Sequence, residues 1–373
     1  MKLGVVFSYG VTLAAWHEQG NLQRELTPYV LLKDKKQDLS VVFFTYGSIS
    51  DHSFLPSNIE LVAMGKNWKE TPKILRPLYS FLMPFIYYRQ FSQCQVLKTN
   101  QIWGSWVAFM ASCLTGSKLW IRAGYDHYTN HLLRNSPFYK KIISYFVSLL
   151  AYRNADLITV TTAQIADFVC KTFSVNFQKI TVHGNYIDTD LFSPLLLDKK
   201  PRVLYVGRLN IHKNIETLMK ACAQLHLGLT IVGKGEYQDK LKMLKEDLKS
   251  DVTFLPSIPN HELPRIYSEH LIFCLPSLFE GNPKVLLEAM SCACAVVGND
   301  VRGIKELICD KEDGLLFQSE VATLQDCFSS LLQDKFLGNK LGDAARKKIV
   351  NSYSLQSYLK FEVNNLARLT CGH

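Results

Sequence analysis

The chain has 373 residues, of which 47% are hydrophobic and 20% are charged, so it can bury two domain cores of ordinary globular composition. One interpretation of the net charge of +9 is that it attracts phosphate groups, on a small ligand or on a membrane surface. The other is a basic protein surface without a binding role. The Lys and Arg residues are scattered and are not interleaved with stacking aromatic side chains, which argues against nucleic acid as a partner.

In the first half of the chain, short apolar runs alternate with segments of helical periodicity. Residues 1–7 are too short and too soon polar for a signal peptide and predict a first strand, so a cytoplasmic location is expected. The predicted strands are residues 3–8, 39–46, 95–98, 119–122, 157–161 and 179–183. The predicted helices are residues 13–33, residues 103–114, a long helix that ends near Ala151, and a helix after residue 161. This alternation predicts a parallel sheet that helices cover on both faces.

Two segments of this half, residues 77–88 and 138–152, are apolar and aromatic. The basic residues in or beside them are Arg76, Arg89, Lys140, Lys141 and Arg153. One interpretation is packing in a core or between domains. The other is a surface that rests on a membrane and lets the protein reach a lipid-linked molecule. No segment contains 18 consecutive apolar residues, so none is expected to span a bilayer.

The strand and helix pattern restarts after a polar break at residues 193–201. The predicted strands of this half are residues 202–207, 229–232, 252–255, 271–275, 295–298 and 314–317. We therefore expect two doubly wound α/β domains, residues 1–194 and 202–353, facing a cleft into which the carboxyl ends of their strands point. The last helix, in residues 354–373, has no strand after it and is expected to cross back to the first domain.

Ten cysteines are spread along the chain. The nearest pair is Cys292-x-Cys294, no C-x-x-C motif occurs, and no cysteine pairs with histidine at the spacing of a zinc site. Most lie in apolar runs, so the pattern favours buried free thiols in a reducing compartment.

The first strand of the second domain runs directly into Gly207, Arg208 and, five residues later, Lys213. Glycine permits a tight turn, the guanidinium offers a planar fork of donors, and the ammonium is a point charge, a combination that suits a diphosphate. The alternative is two solvated cations at the end of a strand. The segment lacks the spacing of a Walker loop.

A second polar segment follows the predicted strand 271–275. Glu280 and Gly281 lie on the loop, and Asn282-Pro283 is typical of a helix start with proline at its first position. The N–H groups of Gly281, Lys284 and Val285 at such a terminus favour a negatively charged ligand. Glu288 would reach the same crevice and accept from ribose hydroxyls, and Glu280 would accept from hydroxyls of a transferred sugar. The alternative for Glu288 is a solvated helix position.

These segments together resemble the family 4 retaining glycosyltransferases of the GT-B fold, of the type that builds bacterial cell-surface polysaccharides. The strings that carry the resemblance are Glu280-x7-Glu288, Gly207-Arg208 with Lys213-Asn214, residues 303–316, residues 185–194 and residues 155–162. The match covers residues 154–317 closely, whereas the first 150 residues match only loosely.

The resemblance implies a role for each matching residue. Arg208 and Lys213 would hold the donor pyrophosphate, Glu280 the donor sugar and Glu288 the ribose. The backbone of the segment that follows Gly281 would hold phosphate and sugar hydroxyls. This segment comprises Asn282, Pro283, Lys284 and Val285, and Gly281 also belongs to the donor site. Ser257 and Ile258 would meet the base, and Gly10 would let the first loop approach the diphosphate. Glu280, Arg208 and Lys213 are thereby the expected catalytic residues.

The first domain departs from the family pattern. The loop after the first strand has fewer glycines than is usual, and the histidine expected after the strand at residues 119–122 is displaced. The acceptor-side candidates are therefore Arg122, Tyr125, Asp126 and His127, with no choice among them.

The Asp188-Thr189-Asp190 triplet has the D-x-D spacing of metal-dependent glycosyltransferases of another fold. Its position before the interdomain break favours a turn and cap instead. We expect no metal and no cofactor, since Arg208, Lys213 and a helix terminus can neutralise a leaving diphosphate.

The resulting hypothesis is a metal-independent, hexosyltransferase-type enzyme for surface glycan synthesis. It would move a sugar from a nucleotide-diphosphate sugar to a hydroxyl of a saccharide or lipid-linked saccharide, at the inner face of a membrane. The resemblance implies departure of the diphosphate from the face that the acceptor attacks, and the sequence offers no side-chain nucleophile. The alternatives are a non-catalytic nucleotide-sugar-binding partner subunit and a GT-B epimerase or phosphorylase.

Overall fold

The computed structural model describes residues 1–65, 68, 70–124, 127–133 and 136–370. The chain divides into two compact units. The first unit comprises Met1–His183 together with Leu359–His373, and the second unit comprises Gly184–Tyr358.

In the described part of the first unit, seven parallel strands form one sheet in the order β3-β2-β1-β4-β5-β6-β7. The strands are β1 Lys2–Val6, β2 Ser40–Thr45, β3 Ile59–Ala63, β4 Val96–Thr99, β5 Lys118–Ala123, β6 Leu157–Val160 and β7 Ile180–Val182. The inner strands are almost entirely buried, since helices cover both faces of a parallel sheet.

The helices of this unit connect successive strands. They are α1 Leu13–Glu18, α2 Leu22–Lys35, α3 Arg76–Ile86, α4 Tyr88–Phe91, α5 Ser105–Thr115, α6 His127–Leu133, α7 Phe138–Asn154 and α8 Ala163–Phe173. Short 3-10 helices occur at Ile49–Phe54 and Phe177–Lys179. The predicted helix at residues 13–33 is divided in two, because Gly20 adopts a left-handed conformation with φ +68° between α1 and α2. Strand β3 was not predicted.

The second unit has six parallel strands among its described residues, in the order β10-β9-β8-β11-β12-β13. The strands are β8 Lys200–Val206, β9 Gly228–Val232, β10 Val252–Leu255, β11 His270–Leu275, β12 Ala295–Asn299 and β13 Leu315–Phe317. The helices are α9 Ile215–Gln224, α10 Gln238–Leu248, α11 Leu263–Ser268, α12 Lys284–Ser291, α13 Val321–Gln333, α14 Lys335–Ser352 and α15 Leu355–Thr370. Counted within the unit, the strand order is 3-2-1-4-5-6, which is one of the orders of the doubly wound folds, the class predicted from the sequence.

The boundary between the units lies earlier than the predicted residue 194. Residues 184–194 belong to the second unit because their backbone and side chains are bound there. Ile187 N–H donates to the carbonyl of Tyr353 at 2.8 Å, and Leu355 N–H donates to the carbonyl of Ile187 at 2.7 Å. Phe192 is buried in the core of this unit.

The last helix, α15, starts in the second unit, and its residues from Leu359 onward belong to the first. Glu362 on this helix forms a fully buried ion pair with Lys98 on β4. The ammonium of Lys98 also lies 4.3 Å from the ring centroid of Trp120 and 5.5 Å from that of Tyr29. Burial lowers the pKa of Lys98 to about 8, although the carboxylate of Glu362 opposes that shift.

The two apolar segments of the first unit form α3 and α7, and much of their apolar surface is exposed rather than packed in the core. Within the described ranges, no helix is both long enough and apolar enough to cross a bilayer.

We expect Glu362→Gln to destabilise the first unit by about 3–5 kcal/mol, since it leaves a buried ammonium without its partner. The double variant Lys98→Met/Glu362→Leu removes both charges and should cost much less. Urea unfolding followed by tryptophan fluorescence measures this unit selectively, because all five tryptophans precede residue 184. Equal losses in the single and double variants would contradict the prediction.

The pH dependence provides the control. Lys98 holds its proton less tightly in the folded protein, with a pKa of about 8, than in the unfolded chain, with 10.5. Between these values the unfolded chain binds more protons, so stability should rise with pH in that window and fall as the pH drops to about 8. The double variant lacks this titrating lysine. The wild type should therefore gain unfolding free energy relative to the double variant as the pH rises from about 8 towards 10.5.

Candidate functional site

In the second unit, the loops that follow β8, β9 and β10 are in direct backbone contact. Gly207 N–H donates to the carbonyl of Val232 at 3.0 Å, and Gly233 N–H donates to the carbonyl of Leu255 at 3.1 Å. Gly233 has a φ of +142°, and a Cβ there would lie only 2.0 Å from the Gly207 carbonyl oxygen. Only glycine therefore permits this approach, which brings three loops together at one edge of the sheet.

A pocket of about 210 Å³ opens between these loops. Its lining residues are Val206, Gly207, Arg208, Val232, Gly233, Lys234, Ser257, Ile258 and Leu263. The exposed side chains of Arg208 and Lys234 contribute two cations, while Ile258 and Leu263 contribute apolar surface. Such a pocket can accept a ligand with a flat apolar part and an attached anion.

Lys213 and Glu280 form an ion pair between two further loops of this edge. Lys213 ends a 3-10 helix after β8, and Glu280 lies on the loop after β11. The backbones of the two loops are also joined, since Leu278 N–H donates to the carbonyl of His212 at 2.9 Å. The side chains are only 21% and 12% exposed, so the pair is sheltered from water. The sequence predicted both residues for the site but not that they contact each other.

Buried side chains fix the two loops that carry these charges. The Tyr205 hydroxyl donates to the carbonyl of Arg208 at 3.0 Å. Asn299, which is fully buried at the end of β12, donates from Nδ2 to the carbonyl of Ser277 at 3.1 Å. The backbone of the loops that carry the charged side chains is therefore fixed by hydrogen bonds from buried residues.

Helix α12 begins at Lys284 beside Glu280, with Pro283 as its N-cap. The sequence predicted that the helix starts at Pro283, whereas it starts one residue later, at Lys284. Helix geometry leaves the first-turn N–H groups without intrahelical acceptors, and the helix dipole places partial positive charge there. This terminus and Lys213 both favour an anion at the same edge of the sheet.

The loop before α12 is held by two close contacts. Asn185 N–H donates to Oδ1 of Asn282 at 2.7 Å, and Asn185 Nδ2 donates to the Asn282 carbonyl at 2.6 Å. Gly303, with φ +83°, lies so close that a Cβ would be 2.3 Å from the carbonyl oxygen of Gly281. The Asn282 side chain therefore positions the loop. Only the backbone amide of Asn282 is then assigned to ligand binding.

Glu288 lies on α12 and is 3% exposed. Its Oε2 accepts a hydrogen bond of 2.8 Å from the hydroxyl of Tyr267, at the end of α11. Burial and the neighbouring carboxylate together raise the pKa of Tyr267 well above its usual value, so the hydroxyl stays protonated and donates. Glu288 is thus not the solvated helix residue considered from the sequence.

The first unit contains the remaining predicted residues. Gly10 follows β1 with φ +75°, and a Cβ there would approach only Trp68, at 3.7 Å, so the conformation rather than crowding requires glycine. Arg122 lies half-buried on β5. Tyr125 and Asp126 lie outside the described residues, as does the side chain of His127.

Asp188 caps a turn, as predicted. Its Oδ1 accepts from the N–H groups of Asp190 at 3.2 Å and Leu191 at 3.1 Å. Among the described residues, no group of three or more His, Cys, Asp and Glu side chains is placed to hold a metal ion.

Sequence reasoning missed three residues of the site. Lys234 lines the pocket and precedes α10, which starts at Gln238. Its position directly after β9, between two glycines, was a usable signal. Tyr267 and Asn185 gave no such signal, because their partners Glu288 and Asn282 are distant in sequence.

Residues 187–348, which contain this site, match the family model described as "Glycosyl transferases group 1". The chain is 31% identical over 206 residues to an N-acetylgalactosaminyltransferase of Campylobacter jejuni that acts on a diphospho-undecaprenol-linked saccharide, covering 53% of this chain and 56% of that protein. It is 27% identical over 244 residues to α-maltose-1-phosphate synthase of Mycolicibacterium smegmatis, covering 57% and 63%. The chain thus matches less than two thirds of the length of these curated relatives.

Solved structures match over nearly the whole chain. Anabaena HepE in complex with UDP has a TM-score of 0.78 at 16% identity, covering 98% of this chain and 100% of that chain. Sucrose-phosphate synthase from Thermosynechococcus elongatus has a TM-score of 0.76 at 18% identity, covering 99% and 98%. At these identities the likeness establishes the fold, and it confirms the predicted pair of Rossmann-like GT-B domains.

We expect Tyr267→Phe to destabilise the second unit by about 1.5–3 kcal/mol, because it removes a buried hydrogen bond to a carboxylate. The matched control is Tyr205→Phe, which removes a buried hydrogen bond to a neutral carbonyl and should cost about 0.5–1.5 kcal/mol. Urea unfolding followed by far-UV circular dichroism measures both. Equal losses in the two variants would show that Glu288 is not a charged acceptor.

Proposed function

We propose that the protein is a retaining glycosyltransferase of surface glycan synthesis, which transfers a hexose-type sugar from a nucleotide-diphosphate sugar to a hydroxyl of a saccharide or lipid-linked saccharide. The observation that carries the proposal is the Lys213–Glu280 pair at the start of α12. It sets a cation, a carboxylate and a helix N-terminus at the strand edge that also bears the pocket between β8, β9 and β10.

Different residues along this edge would bind the base, the diphosphate, the sugar and the ribose of the donor. The base would enter the pocket against Ile258, where backbone groups of the loop after β10 can bind it. Arg208 and Lys213 would neutralise the diphosphate, together with the N–H groups at the start of α12. Glu280 would accept hydrogen bonds from the sugar, and Glu288 would act on the ribose side, positioned by Tyr267.

In the proposed reaction, the bond between the sugar C1 and the diphosphate oxygen breaks, and a bond from C1 to the acceptor oxygen forms on the same face of the sugar. The acceptor proton passes to the departing diphosphate. Lys213, Arg208 and the helix terminus stabilise the negative charge that develops on that leaving group. No side chain needs to form a covalent intermediate, and no bound metal is required.

The names of the relatives support the substrate classes. The Campylobacter relative is named for an undecaprenol-diphosphate-linked acceptor, and HepE was solved with UDP. We propose a lipid-linked acceptor and a location at the inner, cytoplasmic face of the membrane. Arg122, Tyr125, Asp126 and His127 remain the proposed acceptor-side residues.

We expect Lys213→Ala to reduce transfer tenfold to a hundredfold while the protein stays folded, since one charge-assisted contact contributes about 1.5–3 kcal/mol. The matched control is Lys220→Ala, which removes an exposed lysine of α9 and should leave activity unchanged. Donor binding is measured first by thermal shift with UDP, GDP and ADP and their sugars, and transfer is then measured with the donor so identified.

The pairing itself is testable by a double-mutant cycle. The losses in Lys213→Ala and Glu280→Ala should not add in the double variant, because each single variant also leaves the other charge without its partner. Unchanged turnover and donor affinity in Lys213→Ala would refute the phosphate role.

We expect transfer to continue in the presence of EDTA. Lys213, Arg208 and the α12 terminus supply the positive charge that a metal ion would otherwise provide, and Asp188 is engaged in a turn. Activity is measured before and after chelation and dialysis. Complete loss, restored by Mg²⁺ or Mn²⁺, would overturn the metal-independent mechanism.

A further inference from the structure

Helix α3 of the first unit presents an apolar stripe to solvent. Its exposed residues follow helical spacing and are each 45–60% exposed: Leu78, Phe81, Leu82, Phe85 and Ile86. A helix on the surface of a globular domain normally places polar side chains on that face. Here that face is apolar instead, which makes the stripe a candidate for contact with an apolar partner.

Helix α7 carries a second such stripe. Its exposed apolar residues are Tyr139, Ile142, Ile143, Phe146 and Leu150, each 39–59% exposed. Helix α5 packs between α3 and α7, so the two stripes border one continuous surface, which we term the three-helix face. A contiguous apolar surface of this kind marks a site of interaction with a protein, a membrane or a ligand.

A groove of about 270 Å³ runs along the three-helix face. Its walls include Phe81 from α3, Trp106 and Phe109 from α5, and Ile143 and Phe146 from α7. The rings of Phe81 and Trp106 stack with centroids 5.8 Å apart. The indole N–H of Trp106 donates to Ser80 Oγ at 3.0 Å, so it is not left to bind a polar ligand.

The segment of the chain that forms this surface is strongly basic. Residues 71–155, which contain α3, α5 and α7, include ten Lys and Arg residues but a single acidic residue, Asp126. The segment's net charge of +9 equals that of the whole chain. Two of its ten cations pair with acidic residues outside the segment, since Lys98 is buried against Glu362 and Lys118 pairs with Asp156. Arg89, Lys140 and Arg153 are exposed at or beside the ends of α3 and α7.

We propose that the three-helix face docks on an anionic lipid bilayer and that its groove takes up one aliphatic chain of a membrane lipid. Aromatic and aliphatic side chains would enter the leaflet, and the basic residues would meet anionic headgroups. A protein partner is disfavoured, because the groove walls offer almost no polar groups, whereas protein interfaces have polar rims and regular hydrogen bonds. The inference deepens the membrane location proposed above by naming the surface and the lipid that it contacts, and its test requires neither donor nor transfer.

The first experiment is co-sedimentation of the full chain with vesicles, without donor or acceptor. Wild type should bind vesicles of phosphatidylglycerol and phosphatidylcholine at least tenfold more tightly than vesicles of phosphatidylcholine alone, and salt should weaken the difference. Phe85→Ser/Ile143→Ser should reduce binding at least tenfold. The matched control, Met243→Ser/Phe336→Ser, removes two exposed apolar residues of the second unit and should bind like wild type.

The charge contribution is tested separately with Lys140→Glu/Lys141→Glu. This variant should lose most of its preference for anionic vesicles while its circular dichroism spectrum stays unchanged. Wild type that remains in the supernatant with anionic vesicles at low salt would overturn the proposal. A dimer in solution that Phe85→Ser/Ile143→Ser converts to a monomer would assign the surface to a second copy instead.

The groove is tested with vesicles whose acyl chains carry bromine, which quenches tryptophan fluorescence on contact. Quenching should fall in Trp106→Phe, since Trp106 lines the groove, and should persist in Trp16→Phe, since Trp16 packs on Phe7 in the sheet core. Equal quenching in wild type and Trp106→Phe would show that no chain enters the groove. These results are independent of whether glycosyl transfer is ever observed.

Discussion

The ion pair between Lys213 and Glu280 joins the loops that follow two adjacent central strands, and the site in the second unit is arranged around it. A sheltered charge is costly without a partner, so each residue stabilises the other where no ligand is bound. A ligand that carries both an anion and hydroxyl groups can bind the ammonium and the carboxylate together. The pair therefore prepares one edge of the sheet for a molecule with both kinds of group.

Uncharged residues in and behind the loops of this edge make it rigid. Glycines at positions 233 and 303 let backbones touch where any side chain would intervene, and at Gly207 a Cβ would lie 2.8 Å from the Tyr205 hydroxyl. Tyr205 and Asn299 then fix the loops through hydrogen bonds to carbonyl groups, and Tyr267 fixes the carboxylate of Glu288. Little side-chain or loop ordering is left to occur when a ligand binds, which favours affinity.

The positions of Arg208, Lys213 and Glu280 after strands were predictable from the sequence, because parallel strands gather their following loops at one edge. Strand β3 escaped prediction because Glu60 interrupts the five-residue strand Ile59–Ala63, which therefore lacks the continuous apolar run of a buried strand. The pairs Lys213–Glu280, Tyr267–Glu288 and Lys98–Glu362 depend on which distant segments the fold brings together. Apolar periodicity also located α3 and α7, but it could not show that their apolar faces are exposed.

The burial of Lys98 against Glu362 makes the first unit discontinuous along the chain, and this affects its synthesis. The two residues are 264 positions apart. At about 5–20 residues per second, the ribosome delivers Glu362 on the order of 10–50 seconds after Lys98. During that interval β4 must stay incompletely packed or bury an ammonium alone. The amino-terminal half can thus complete its fold only after Glu362 has left the ribosome.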